Sequence, residues 1–195
     1  MTSNAQRSAS TQARLIEVAR GLFARDGYAA TGTEAILDGA GVRRGAMYHH
    51  FADKAALFEA LCVALSEEAL PAIEAATAKA RDPLDVLVRG SIAWIGYVTR
   101  ADVRRILLID APNVLGWERW EALDQQLSAQ ALHTGVQEAL DAKKIVFGGS
   151  SEMLATMANG ALNALALRVG APGSTVSSRE WQTAVRALWG AFAAK

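Results

Sequence analysis

Two adjacent arginines, Arg43 and Arg44, precede Tyr48 and His49 in one short segment, with Gly45 and Ala46 between them. Guanidinium groups pair with phosphates and read guanine bidentately through its two major-groove acceptors. Glycine and alanine let a backbone come close to whatever the longer side chains grip. Thr33 opens the preceding segment and Lys54 the following one. A hydroxyl, an ammonium and the N–H groups of a helix start are all groups that hold phosphates. The chemistry implied is contact with the backbone and base edges of double-stranded DNA. Taken singly, each residue has a plainer reading: Thr33 as an N-cap, Lys54 and the arginines as a solvated face, Met47 and Phe51 as core, His50 as a brace for the next helix. Their joint occurrence in one window outweighs these.

Such groups work only if short helices hold them. Leu15, Ala19 and Leu22, with Ile16 and Phe23 beside them, recur at helical spacing from Ser10 onward, and Asp26-Gly27 ends that helix. Residues 1–9 offer little to bury and read as a mobile arm. Thr33 as N-cap starts a brief helix, Gly39-Ala40-Gly41-Val42 breaks it, and 44–50 forms a second short helix with Met47 and Phe51 turned inward. Asp53 then caps a long helix running past Glu68, with a bend expected near Pro71. One longer helix followed by two short ones around a Gly-containing turn is the helix-turn-helix outline.

Beyond it, Asp82-Pro83 starts a helix reaching about Arg100, and Pro112 and Gly116 interrupt the pattern over 102–117. A helix is expected over 118–142, another over 151–169 after Gly148-Gly149-Ser150, and a last one through Phe192. That last helix opens with the capping box Ser177…Glu180. No strand is expected. The fold class is all-α: a three-helix DNA-binding head over 10–54, its helix-turn-helix about 33–51, joined by a long helix to a larger helical domain over 55–195.

Composition narrows the field. Lys plus Arg and Asp plus Glu are 20 each, apolar residues are 51%, and the first 54 residues carry a slight basic excess. Cys62 is the only cysteine, which rules out an intrachain disulfide and a Cys-rich zinc site. The longest charge-free run, 153–167, is too short and too polar to span a bilayer, and the N-terminus lacks the apolar core of a secretory signal, so a cytoplasmic protein is expected. An enzyme would need a nucleophile–base or metal constellation. The three histidines include the adjacent His49-His50, which face different sides of a helix, and no phosphate loop, zinc motif or nucleophile elbow is present. Neither enzymatic activity nor a cofactor nor a metal is expected.

The segment 11–65 resembles the DNA-binding domain of the TetR family of transcriptional repressors. The matching elements are 16–19 with Leu22-Phe23, Gly27-Tyr28, Thr31-Gly32-Thr33, Ile36, Ala40-Gly41-Val42, Gly45, 47–51, Asp53-Lys54 and Leu57-Phe58. The resemblance implies that Thr33 and Lys54 contact phosphates, that Tyr48 packs against the DNA backbone, and that Arg44, Ala46 and His49 lie where base-reading side chains fall. Arg43 stands where relatives carry a small polar cap, and serves either as an extra phosphate contact or at the helix start.

The resemblance also implies a homodimer paired through two C-terminal helices and a small-molecule effector held inside the helical body. Pairing candidates are the face of 151–169 with Ala155, Ala158, Asn159, Ala161, Leu162 and Leu165, and Trp181, Val185, Leu188 and Trp189 of the last helix. The same residues also fit a monomer core. Trp94, Tyr97, Trp117, Trp120, His133, Phe147, Met157 and Asn163 are the candidates for an effector pocket, and an apolar or weakly polar ligand is expected because no set of charges marks that half. The function so read is a ligand-responsive repressor of a near-palindromic operator. The competing reading is a helical carrier or interaction module without DNA function, which salt dependence of binding would separate.

Overall fold

The computed structural model describes residues 4–124 and 130–194. Among them every regular element is helical, apart from an isolated antiparallel bridge between Ile145 and Ala193. α1 (Asn4–Asp26), α2 (Thr33–Ala40) and α3 (Arg44–His50) form the head, and α4 (Lys54–Thr77) leads out of it.

Two expectations for the head are corrected. α1 begins at Asn4, so 4–9 is helix rather than a loose arm. Nothing from 4 to 20 is Gly or Pro, extending an existing helix adds one hydrogen bond per residue fixed, and the Thr11 hydroxyl donates back to the Arg7 carbonyl at 2.9 Å. The cap of α2 is the extended Gly32, without a side-chain bond, and Thr33 is the first helical residue. Gly27 ends α1 at φ 86°, and Gly41 ends α2 at φ 62° while its N–H bonds to Asp38 and Leu37 carbonyls. The Asp53 carboxylate accepts from the Ala56 N–H at 2.8 Å and caps α4, which continues through Pro71.

Five helical segments follow before the chain leaves the described residues: α5 (Pro83–Val98), α6 (Ala101–Val103), a π-helical stretch (Arg104–Asp110), α7 (Ala111–Leu115) and α8 (Trp117–Asp124). The interruption expected around Pro112 is absent. Pro112 sits in the first turn of α7, where a missing N–H costs least, and Gly116 at φ 77° makes the break. α9 (Gln130–Asp141) resumes the expected 118–142 helix, whose middle, 125–129, lies outside the described residues. α10 (Ser151–Val169) and α11 (Ser178–Gly190) complete the body. Ser177 accepts from the Glu180 N–H at 3.2 Å, as its capping box requires. Phe192 lies past the helix, and its carbonyl accepts from the Val146 N–H at 2.8 Å.

The head closes over Leu15, Phe23, Ile36, Met47 and Phe58, all fully buried, with Phe58 edge-on to Phe23 and Tyr28 at 5.3 and 5.1 Å. The body is centred on α5, packed by α4, α9, α10 and α11. Its deepest residue, Trp189, donates its indole N–H to the Ser91 hydroxyl at 3.0 Å.

Candidate nucleic-acid interface and ligand cavity

α3 has seven residues, too few to be stable alone, so Met47 inside it and Phe51 just beyond it hold it to the head. That anchoring turns the other side outward. Arg43, in extended conformation at the N-cap, is exposed, as are Arg44, Gly45, Tyr48 and His49, while Ala46 is half-buried. The Arg44 guanidinium lies 3.3 Å from Glu34 of α2 and 5.5 Å over the Tyr48 ring. A Cβ added at Gly45 would meet nothing within 4 Å, so the fold itself places no demand for glycine there. Thr33 is half-buried at the start of α2.

Lys54 is engaged differently from the expected phosphate contact. Its ammonium donates to the Tyr28 and Thr31 carbonyls at 3.0 and 2.9 Å and lies 4.1 Å over the Tyr28 ring. Two of its three N–H groups therefore hold the α1–α2 connection to the start of α4. Arg14 is a basic residue that sequence reasoning passed over. On α1, one turn before Val18, it is exposed, with a terminal nitrogen 3.4 Å from where Gly41 would carry a Cβ. Val18 faces Gly39 in the same way, and this i, i+4 pairing against two glycines is the signal that would have found it.

The body encloses a cavity of about 220 Å³ between α4, α5, α9 and α10. Leu70, Ile73, Val86, Leu87, Leu132 and Leu162 supply apolar wall. The hydroxyls along it are largely committed: Thr77 donates to the Ile73 carbonyl and Ser91 accepts from Trp189. A second hollow of about 30 Å³ lies against Cys62, Leu107, Trp120 and Asp124. Ser66 and Trp94 border both, and Asn159 of the larger hollow donates to the Asp124 carboxylate at 2.7 Å. Burial, with the charges of Glu59 and Asp110 adding to it, pushes the Cys62 thiol up to about 12, so it stays a neutral wall group.

Of the eight residues predicted for a pocket, the structure brings Trp94 and Trp120 together and disperses the others. Tyr97 is buried, donating its hydroxyl to the Leu65 carbonyl at 2.6 Å. Trp117 is 64% exposed and Met157 54% exposed. His133 pairs with the Ser151 hydroxyl at 2.9 Å, and Phe147 stacks edge-on to Phe192. The Asn163 side-chain oxygen is buried without a hydrogen-bond partner but borders neither hollow. The residues missed were Ser66, Leu70, Ile73 and Thr77, whose spacing along α4 continues the buried stripe of Leu61 and Cys62 beyond the head.

Head and body meet through charge. Arg20 of α1 bonds Asp102 at 2.6 and 2.9 Å and Glu68 of α4 at 2.6 Å, and Arg100 bonds Glu68 at 2.8 Å. The Arg20 bond, opposed by burial and helped by Arg100, holds the Glu68 carboxyl below its ordinary range. Burial would raise Asp102, but the hydrogen bond from Arg20 and the nearby positive charges outweigh it and lower that carboxyl too. A second contact sets Arg105 against Gly27, where any Cβ would collide with the guanidinium, and brings Asp110 within 3.4 Å of the Tyr28 N–H.

Among the described residues, no helix is long and apolar enough to cross a membrane, and no group of three or more His, Cys, Asp or Glu side chains is placed to hold a metal. Residues 15–61 match the family of bacterial regulatory proteins of the tetR type, and 84–192 match the tetracyclin repressor-like C-terminal domain. The HTH-type transcriptional repressor KstR2 of Mycobacterium tuberculosis is 42% identical over 52 residues, which is 27% of this chain and 26% of that protein. The match thus spans about a quarter of the curated relative. A TetR-family transcriptional regulator from Pectobacterium atrosepticum superposes with a TM-score of 0.77 at 23% identity, covering 100% of this chain and 99% of its own. RolR in complex with resorcinol superposes at 0.73 with 18% identity, covering 98% and 92%. With a helix-turn-helix head matched to one family description and more than half of its length matched to the other, the chain belongs to the TetR family of transcriptional regulators.

Proposed function

We propose that this regulator is a homodimeric repressor of a near-palindromic operator, released by a small, mainly apolar effector. The observation that carries the reading is the pairing of an outward-facing, arginine-bearing α3 with an apolar cavity whose wall is the same helix, α4, that begins in the head. The division of labour runs at about residue 54, with DNA contact over 10–54 and effector binding and pairing over 55–195.

In this reading Arg44, Ala46 and His49 face base edges, Tyr48 packs on the DNA backbone, and Gly45 allows close approach. Thr33, Arg43 and Arg14 contact phosphates. Lys54 acts through the Tyr28–Thr31 connection it holds, with its remaining N–H available to a phosphate. The pairing surface is the exposed side of α10 carrying Met153, Met157, Ala161 and Ala164, with Ala184 and Ala187 of α11. Ala155, Ala158, Leu162, Trp181, Val185 and Trp189 are spent on the chain's own core, which removes them from the interface expected on sequence grounds. Dimer symmetry then sets two recognition helices one DNA turn apart, about 34–36 Å.

KstR2 supports repression through the head alone, and RolR, solved with resorcinol, supports a small-molecule effector through the fold. Effector in the cavity favours a dimer whose recognition helices no longer match the half-sites, a coupling of about 1–3 kcal/mol. The test is selection of duplexes from a random pool by the purified protein at two salt concentrations. A near-palindrome, with affinity falling steeply as salt rises by about 0.9 log units per log unit of salt for each phosphate contacted, is the expected result. No enrichment at low salt, with and without candidate effectors, would leave the carrier reading in its place.

A further inference from the structure

The charge inventory of the two hollows restricts what can occupy them. Among all residues bordering either one, Asp124 is the only ionisable group apart from the neutral Cys62 thiol. The segment 125–129, Gln-Gln-Leu-Ser-Ala, carries no ionisable side chain either. An anion placed there would give up its hydration, meet no cation, and lie near a like charge. A carboxylate has about four lone-pair sites and accepts from several donors at once. Asn159 already donates to it from the direction of the larger hollow, so Asp124 is oriented by a neighbour that itself lines the apolar wall. Trp94 and Trp120 border the same small hollow, and their ring faces suit an aromatic hydroxyl or a protonated amine equally well.

Volume limits the rest. An apolar cavity of roughly 150 Å³ is known to hold benzene, and a few tens of Å³ hold a single polar group. At about 220 and 30 Å³ the two hollows match one ring with a short alkyl tail and one head group.

We propose that the paired hollows accept a compact ligand without any anionic group, its apolar body in the larger hollow and one O–H or N–H donor directed to the Asp124 carboxylate in the smaller. This rests on the effector reading of the cavity and narrows it. Bulky anionic carriers and simple carboxylates are excluded by the same wall that admits a phenol or an amine.

The experiment uses the purified full-length protein and a matched series, 4-propylphenol, 4-propylbenzylamine, 4-propylanisole and 4-propylbenzoate, followed by tryptophan fluorescence and calorimetry. Phenol or amine is expected to bind at least about tenfold more tightly than the capped ether, the size of one lost hydrogen bond to a charged group. Benzoate is expected to bind most weakly. Whether phenol or amine leads identifies the donor. In Asp124→Asn the benzoate disadvantage should shrink and the amine should lose most. The wild-type series stands by itself if that variant fails to fold. Benzoate binding as tightly as the phenol, or no member binding at about 1 mM, overturns the proposal. Titrating the same ligands into the operator complex separates the two readings. A phenol or amine that binds but leaves the complex intact defeats the effector reading and keeps the ligand class. A benzoate that binds and releases DNA does the reverse.

Discussion

Head and body are both packed helices, yet they put their chemistry on opposite sides of the packing. In the head, Met47, Phe51 and Phe58 face inward so that Arg43, Arg44, Tyr48 and His49 face out. In the body, the polar points that matter, Ser66, Asn159 and Asp124, face a hollow, and the exposed methionines lie on its outer skin. An external groove imposes residues one position at a time. A hollow imposes a volume and a few polar points, which many arrangements of apolar residues satisfy.

That contrast can be broken by substitution. Trp189→Ala should cost about 3–5 kcal/mol of stability in urea denaturation, since it empties the largest fully buried site and strands the Ser91 hydroxyl. DNA affinity per folded molecule should survive. A loss of affinity beyond what unfolding explains would show that head and body are not separate in this sense.

Arg44→Ala makes the complementary cut. It should lose about 1–3 kcal/mol per half-site in anisotropy titrations on a selected operator. Its exposed pair with Glu34 predicts stability within about 0.5 kcal/mol of the parent and unchanged ligand binding. Equal affinity for specific and scrambled duplexes in the parent protein would remove the base-reading role.

The smallest effect belongs to the junction. Glu68 and Asp102 have carboxyls held below their ordinary values of 4.5 and 3.8. A depressed carboxyl contributes stability that is present above its unfolded pKa and is lost as pH falls through its folded one. Stability should therefore decline as pH drops below about 4.5, and Glu68→Gln should flatten that decline. Partial exposure keeps the change well under about 1 kcal/mol near neutrality. An unaltered acid profile in the variant would show that the network adds nothing to the fold.

The same contrast explains what the sequence disclosed. The head's turns were readable because Gly27 and Gly41 adopt positive φ and because Asp53 caps by a local bond, all within a few residues. The caps at Asp82, Ser150 and Ser177 were readable for the same reason. Lys54 looked like a phosphate ligand because nothing local reveals that it spans back to Tyr28 and Thr31. The cavity wall depends on which faces of α4, α5, α9 and α10 meet, a matter of long-range packing. Large aromatics were therefore the natural guess, and Trp117 and Phe147 proved to be surface and satellite packing instead.

α4 has one more property, which is mechanical. A helix rises about 1.5 Å per residue, so Leu70 at the cavity lies roughly 24 Å along the axis from Lys54 in the head. Over that arm a tilt of about 5° moves the far end by about 2 Å, more than half the length of a hydrogen bond. A displacement too small to disturb the packing around a ligand is thus large enough to carry the Tyr28–Thr31 connection with it. The helix serves as a gear between a tolerant site and an exacting one.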